Sequence, residues 1–406
     1  MDAIYIILAI PVFIVTILVE LAWDLRKKRG YYNLADTLSC LSCGIGQLIL
    51  LPFVGGFGLV VYQVVLKHCA LFQLPMSALW AWVLAFLVDD FLYYVYHRSS
   101  HRVNVLWATH AVHHQSEEYN LSVALRQSWF TSLTSWIFYL PLAVMGVPFV
   151  MFVIVRTFNT LYQFWIHTRA VPKLGFLEWF LNTPSHHRVH HGINPRYIDK
   201  NHAGILIIWD RLLGTFIEED SEPVYGTVKP LASFNPVWAN FDEFVRLWQM
   251  SKQTRRIRDK IWIWFAPPEW RPADLGGVVS VPEITQADQH KYRVTPPLSV
   301  SMYTVLSFTL MLAAGTYLLS IEATLRPVYH VLYLAELMLG LLTISALGEG
   351  KPWAKSVELL RFASLLAAVP LVPPALKFPL LVGTTIHAVV FFLLAGRQSP
   401  KPALSN

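Results

Sequence analysis

Hydrophobic runs long enough to cross a bilayer dominate this chain. Residues 4–23 form the first, and about 20 apolar residues suffice to cross the hydrocarbon. Arg26, Lys27, Lys28 and Arg29 follow at once. A second apolar stretch, 38–66, contains Pro52, Gly55, Gly56 and Gly58 and predicts one kinked or tilted span. A third run covers 76–96. Residues 129–165 are about twice the minimum length of a span, with Pro141, Gly146 and Pro148 near the middle, which predicts a helical hairpin that enters and leaves on one side. The stretch from 168 to 298 is far more polar and offers no span. Four apolar segments follow, at 303–320, 330–347, 357–372 and 378–396. The pattern predicts an all-α polytopic membrane protein in three parts: N-terminal membrane helices over 1–166, a helical cap over 167–298, and C-terminal membrane helices over 299–406.

Composition agrees with that class. Hydrophobic residues make up 55% of the 406 and charged ones 14%, against about 25% charged in a soluble domain. The net charge of +6 then reads as lysine and arginine on the cytoplasmic face, not as a nucleic-acid footprint. Counting spans from the 26–29 run, Lys351, Lys355, Arg397 and Lys401 fall on the same side. All three histidine clusters described below also lie on that face. The first run is preceded only by Met-Asp-Ala, without a basic flank, which predicts an uncleaved span. Arg246, Lys252, Arg255, Arg256, Arg258 and Lys260, followed by Trp262, Trp264 and Phe265, suit an interfacial helix on anionic headgroups. Residues 276–297 read as an irregular linker. Cys40 and Cys43, a lone CxxC in an apolar segment, read as packing, as do His330 and His387.

Three histidine clusters carry the chemistry: His97 and His101; His110, His113 and His114; and His187, His190 and His191. On a helix, residues three or four apart share a face, so each cluster presents its rings together. Neutral imidazole is the commonest metal ligand. Eight convergent rings are too many for one metal and suit two, and burying them without partners would cost several kcal/mol (about 2–7 for each polar group). The clusters have no neighbouring cysteine and no Glu-x-x-His pairs, so thiolate and carboxylate-bridged centres fit poorly. An all-imidazole dinuclear site suits iron that activates O2, with zinc or manganese also open. His167 is a further candidate ligand, and His186 and His202 are others. The first cluster ends a span, so the metal would sit at the membrane face, within reach of an apolar lipid. Asp90, Tyr94, His97 and His101 share one helix face. The Asp90 carboxylate is expected to accept from a ligand imidazole or from Tyr94 and so fix a tautomer. Asp89 is rotated about 100° away. A histidine-rich metal transporter would instead repeat polar residues through several spans.

HxxxH, HxxHH and HxxHH in this order, between membrane runs, resemble the fatty acid hydroxylase/sterol desaturase superfamily of membrane diiron enzymes. More closely, the segments Ser116–Ser122, Ala124–Ser128, Leu161–Thr168, Asn182–Gly192 and Ile208–Phe216 resemble the alkylglycerol monooxygenase family. The likeness is strong over residues 85–225. It implies a four-helix membrane base under a cytosolic cap that encloses a dimetal centre. It also implies two iron ions held by His97, His101, His110, His113, His114, His187, His190 and His191. The closer family implies ether-lipid cleavage with O2 and tetrahydrobiopterin: hydroxylation of the ether-linked carbon, then loss of an aldehyde. Arg102 departs from that family, which typically has an acid directly after the first cluster. The alternative is hydroxylation or desaturation of another lipid, sterol or fatty acyl, with a different electron donor. Either reading implies an integral protein of a bacterial inner membrane or endoplasmic reticulum, with its active site on the cytoplasmic face.

Overall fold

In hydrocarbon a segment must satisfy its own backbone donors and acceptors, so apolar runs become helices. A computed structural model describes residues 2–321 and 327–396, with the side chains of 2–8, 52, 318–321, 327, 330 and 375 set aside. His330 (its side chain), Arg397 and Lys401 therefore lie outside the described residues. Every extended regular element among the described residues is helical; two isolated bridges, Leu181–Leu206 and Gly192–Tyr225, are the exceptions. Among the described residues, five helices are long and apolar enough to cross a membrane, at Leu34–Leu51, Leu79–Arg102, Leu298–Tyr317, Val331–Gly348 and Leu376–Gly396.

Helix α1 is Asp2–Lys27. The 38–66 stretch is not one kinked span. It breaks at Gly55 into α2, Leu34–Val54, and α3, Gly56–Cys69. Helix α4, Leu79–Arg102, runs without interruption from the apolar segment through the first histidine pair, and α5, Asn104–His114, carries the second cluster. The expected hairpin is more broken than its composition suggests. Its first limb comprises α6, Thr131–Ser135, a 3-10 turn, and α7, Leu140–Val144; its second is α8, Phe149–Trp165. Gly146 makes the bend at φ +81°, where a Cβ would stand 1.9 Å from the Phe72 carbonyl oxygen, so no other residue fits.

The described chain divides into two compact units. Met1–Asn33, Leu51–Leu231 and Asn240–His290 form one; Leu34–Leu50, Ala232–Ala239 and Lys291–Asn406 form the other. The first packs Tyr62, Ala81, Ala85, Leu142, Met151 and Phe152 into its apolar core. Its cap carries α9, Pro184–His190, α10, Ile208–Leu212, most of α11, Pro236–Gln253, and α12, Ile257–Trp262. The basic–aromatic stretch thus spans two helices, with Trp262 and Phe265 exposed and Trp264 packed by Leu247 and Ile263. Residues 276–290 are irregular, as expected, and are tied down as a strap. Asn194 Nδ2 donates to the Ile284 carbonyl at 3.0 Å, and the Gln286 and Gln289 amides donate to the carbonyls of Pro223 and Tyr225.

The second unit contains α13, Leu298–Ile321, α14, Pro327–Gly348, α15, Ala354–Ala368, and α16, Pro374–Phe391. The 357–372 segment yields α15, whose 15 residues fall short of a span. Phe308, Met311, Leu337, Leu341 and Ile344 pack with Ile45 and Ile49 there.

Candidate metal centre

Four elements of the first unit bring nine imidazoles together. His97 and His101 occupy the last turns of α4. His110, His113 and His114 lie on α5. His167 follows α8, and α9 with its cap supplies His187, His190 and His191. All are buried except His110, which is partly exposed. The rings form two groups: His97, His101, His110, His114 and His190; and His113, His167, His187 and His191. Within each, one nitrogen from every residue lies within 4.8 Å of the others.

Backbone carbonyls set the tautomers. His97 Nδ1 donates to the His202 carbonyl at 2.7 Å, His113 Nδ1 to Arg126 at 3.1 Å, His167 Nδ1 to Gln163 at 2.7 Å and His190 Nδ1 to Lys200 at 2.9 Å. A carbonyl only accepts, so each Nδ1 holds the proton and each Nε2 presents a lone pair. Burial pushes His113 down to about 4, and His110, His114, His167, His187, His190 and His191 well below the ordinary imidazole range, so these rings are neutral at pH 7. Yet Nε2 faces Nε2: His97 and His110 at 3.0 Å, His110 and His114 at 3.1 Å, His113 and His167 at 3.1 Å, His167 and His187 at 3.0 Å. His113 and His167 both spend their proton on a backbone carbonyl, so two lone pairs confront each other. The Nε2 atoms of His101, His190 and His191 are buried without partners. A donor set of this kind fits cations and little else.

Asp90 does not meet the expectation drawn from its helix face. It accepts from Asn159 Nδ2 at 3.0 Å, the Ile205 and Leu206 amides at 2.8 and 3.0 Å, and Trp209 Nε1 at 2.9 Å, and from no imidazole and not from Tyr94. Seven residues of helix rise about 10 Å, which puts the carboxylate too far below His97 to touch it. Instead it fixes the segment whose His202 carbonyl holds His97. Gly204 permits the approach: a Cβ there would stand 3.0 Å from Asp90 Oδ1 and 2.9 Å from Asn159 Oδ1. Tyr94 Oη meets Thr215 Oγ1 at 2.9 Å and accepts from Arg98. Asp89 is buried against Arg156 at 3.3 Å. His186 turns away from both groups, toward Glu178 and Phe216. His202 lies beside the first group without joining it.

Asp210 and Glu20 were missed in the sequence. Asp210 accepts the His202 and Ala203 amides, each at 2.8 Å. Glu20 accepts from Thr168 Oγ1, next to His167, from Tyr32 Oη, and from the Leu121 amide at 2.8 Å. The signal for Glu20 was there: it is the one acid in the 4–23 run. A cavity of about 170 Å³ opens onto His101, His114, His190 and His191, walled by Trp107, Ile193, Val279 and Val281 and by charged Asp199, Glu269 and Arg271. Arg102 pairs with Asp199 at 2.5 Å and Glu269 at 2.9 Å.

The fatty acid hydroxylase family matches residues 82–215, which contain all nine imidazoles. Alkylglycerol monooxygenase of Homo sapiens is 40% identical over 361 residues, 88% of this chain and 80% of its own. The Danio rerio enzyme is 38% identical over 404 residues, 97% and 90% of the two chains. The chain belongs to the alkylglycerol monooxygenase family. The Xenopus tropicalis member is 37% identical over 351 residues, 86% of this chain and 78% of its own. As a member of that family the protein is an O2-dependent monooxygenase, a multi-pass membrane enzyme that modifies lipid. No solved structure matches the chain.

Proposed function

We propose that the nine imidazoles hold two iron ions, and that the protein hydroxylates the ether-linked carbon of an alkylglycerol with a tetrahydropterin as reductant. The facing Nε2 pairs carry this reading. Five imidazoles in one group exceed the four ligands of tetrahedral zinc. That argues for iron over zinc.

Bound iron would supply the activation of O2. The residues of the chain do the rest. His97, His113, His167 and His190 keep their Nδ1 protons on backbone carbonyls, which leaves Nε2 free for metal. Asp90 and Asp210 fix the 202–209 segment, Asp90 at Ile205, Leu206 and Trp209 and Asp210 at His202 and Ala203. Glu20 ties α1 to the turn beside His167. The cavity at His101, His114 and His190, with its charged wall, suits a polar reductant such as tetrahydropterin. The lipid reaches the other side from the bilayer along α4. One oxygen atom enters the C–H bond next to the ether oxygen; the other leaves as water, with two electrons from the pterin. The resulting hemiacetal then breaks its C–O bond, its hydroxyl proton passing to the glycerol oxygen, and a fatty aldehyde leaves.

The basic run at Arg26–Arg29 supports a cytoplasmic site under the 167–298 cap. A tag at residue 230 should report cytoplasmic; a signal from the opposite side there would refute this topology. The chemical test is an expressing membrane given an alkylglycerol, with and without tetrahydropterin, beside a His190→Ala control. Aldehyde should form only with the intact protein and the pterin, and the purified enzyme should carry about two irons per chain. Aldehyde from the control would sink the reading.

A further inference from the structure

We infer that His202 is a further catalytic residue: it donates a hydrogen bond to the small ligand, water or an anion, that binds the ion of the five-histidine group. This rests on the dimetal reading above. His202 is completely buried, and neither Nδ1 nor Nε2 makes a well-formed hydrogen bond, the Asp199 backbone offering only a weak one. A neutral imidazole always carries one donor and one acceptor, and inside the protein neither is well satisfied. No other histidine among the described residues has both ring nitrogens buried without a well-formed hydrogen bond. His387 shows the ordinary alternative, a packed histidine with Nε2 on Ser307 Oγ at 2.7 Å.

The ring stands beside the five-histidine group. Its centroid lies 5.1 Å from His101, 5.5 Å from His190 and 5.7 Å from His97. Those overlap or slightly exceed the spacings within the group, such as 5.3 Å between His97 and His101 and 4.9 Å between His114 and His190. It nevertheless stays outside the set whose nitrogens lie within 4.8 Å of one another. That places it one ligand atom out from the ion. An ion held by these five imidazoles would have room for a small ligand if it took six donors, and His202 would be within reach of that ligand.

The backbone around His202 is built to hold it there. Its amide donates to Asp210 Oδ1 at 2.8 Å, and its carbonyl accepts from His97 Nδ1 at 2.7 Å. Asp199 and Asn201 adopt φ of 56° and 55°, the left-handed region that aspartate and asparagine tolerate best among residues with a Cβ. Asn201 secures its own conformation: Nδ2 donates to the carbonyls of His186 and Ile217, and Oδ1 accepts the Ile217 amide at 2.9 Å. A strained turn that is so fully bonded is a positioning device.

The test is azide binding to the purified enzyme carrying cobalt(II) in place of iron, followed by its visible spectrum. Variants are His202→Phe, which fills the volume without a donor, and His202→Gln, which restores one. Wild type and both variants should hold two metals. His202→Phe should weaken azide about ten- to a hundredfold, the loss of one hydrogen bond to a charged group, and His202→Gln should recover part of that. Unchanged azide affinity in His202→Phe with both metals retained overturns the inference. Loss of a metal from either variant also overturns it, because His202 would then be a ligand. A wild type that binds no pair of metals would instead overturn the dimetal reading.

Discussion

The two units of this protein both bury polar side chains in apolar surroundings, and they do so in opposite ways. In the C-terminal unit, Arg361 Nε and Nη2 each meet Glu358 at 2.8 Å, Nη1 meets Glu336, Tyr303 donates to Glu358, and Ser307 meets His387. Cation meets anion and donor meets acceptor, so the cluster closes on itself and ties α13, α14, α15 and α16 together. In the first unit, acceptor meets acceptor. Four pairs of Nε2 atoms face each other at 3.0–3.1 Å, and in the His113–His167 pair both Nδ1 protons are already spent on backbone carbonyls, so no arrangement of imidazole protons satisfies it. A buried cluster that balances its own charges holds a fold together; one whose groups are all of one kind is shaped around something of the opposite kind. The distinction lies in the sign of the mismatch and not in how many polar groups are buried.

Removing one ligand should separate the two regions most sharply. His113→Ala or His190→Ala is expected to lose activity by more than about 100-fold, beyond what outer hydrogen-bond partners of ligands cost, and to lower bound iron on elemental analysis. Full activity in either would dissolve the contrast. Arg361→Leu attacks the self-balanced cluster and leaves Glu336 and Glu358 buried without a counter-ion. Thermal unfolding in detergent should show a loss of about 3–5 kcal/mol, with iron per folded molecule unchanged. Parallel loss of iron would mean that the two regions are not independent. Asp90→Asn should fall between these outcomes, keeping fold and expression but losing activity by about 10–100-fold with weaker iron retention. An amide nitrogen in place of one carboxylate oxygen would confront the Ile205, Leu206 or Trp209 N–H. Asp89→Asn should be milder, and the reverse order would mean that Arg156, not the 202–209 segment, governs the site.

Acid should produce the most graded effect. Folded burial lowers the histidine pKa values, so below about 6.5 the unfolded chain takes up protons that the native imidazoles refuse. Stability of the metal-free protein should therefore fall as pH drops from about 6.5 toward the value near 4 of His113. Iron should leave over the same range, because protons compete for the same lone pairs. A metal-free unfolding temperature that stays flat from pH 7 to 5 would contradict the burial argument.

The sequence by itself determined the ligand inventory and its local geometry. Spacings of three and four put the rings of each cluster on one side of a turn, because a helix repeats every 3.6 residues. The length of an apolar run likewise fixed α4 as a membrane helix ending in histidines. Where runs were broken by glycine and proline, at 38–66 and 129–165, composition fixed helicity but not continuity. Only the tertiary structure decided how the rings divide. His110 and His114 join His97, His101 and His190, while their neighbour His113 joins His167, His187 and His191. Residues 113 and 114 are rotated about 100° from each other on α5, and which ring goes where depends on the angles at which α4, α5, α8 and α9 meet. The partners of Asp90 were hidden for the same reason. A carboxylate on α4 could be placed on a helix face from its number, but the amides of Ile205 and Leu206, 115 and 116 residues away, come to it only when the chain folds back.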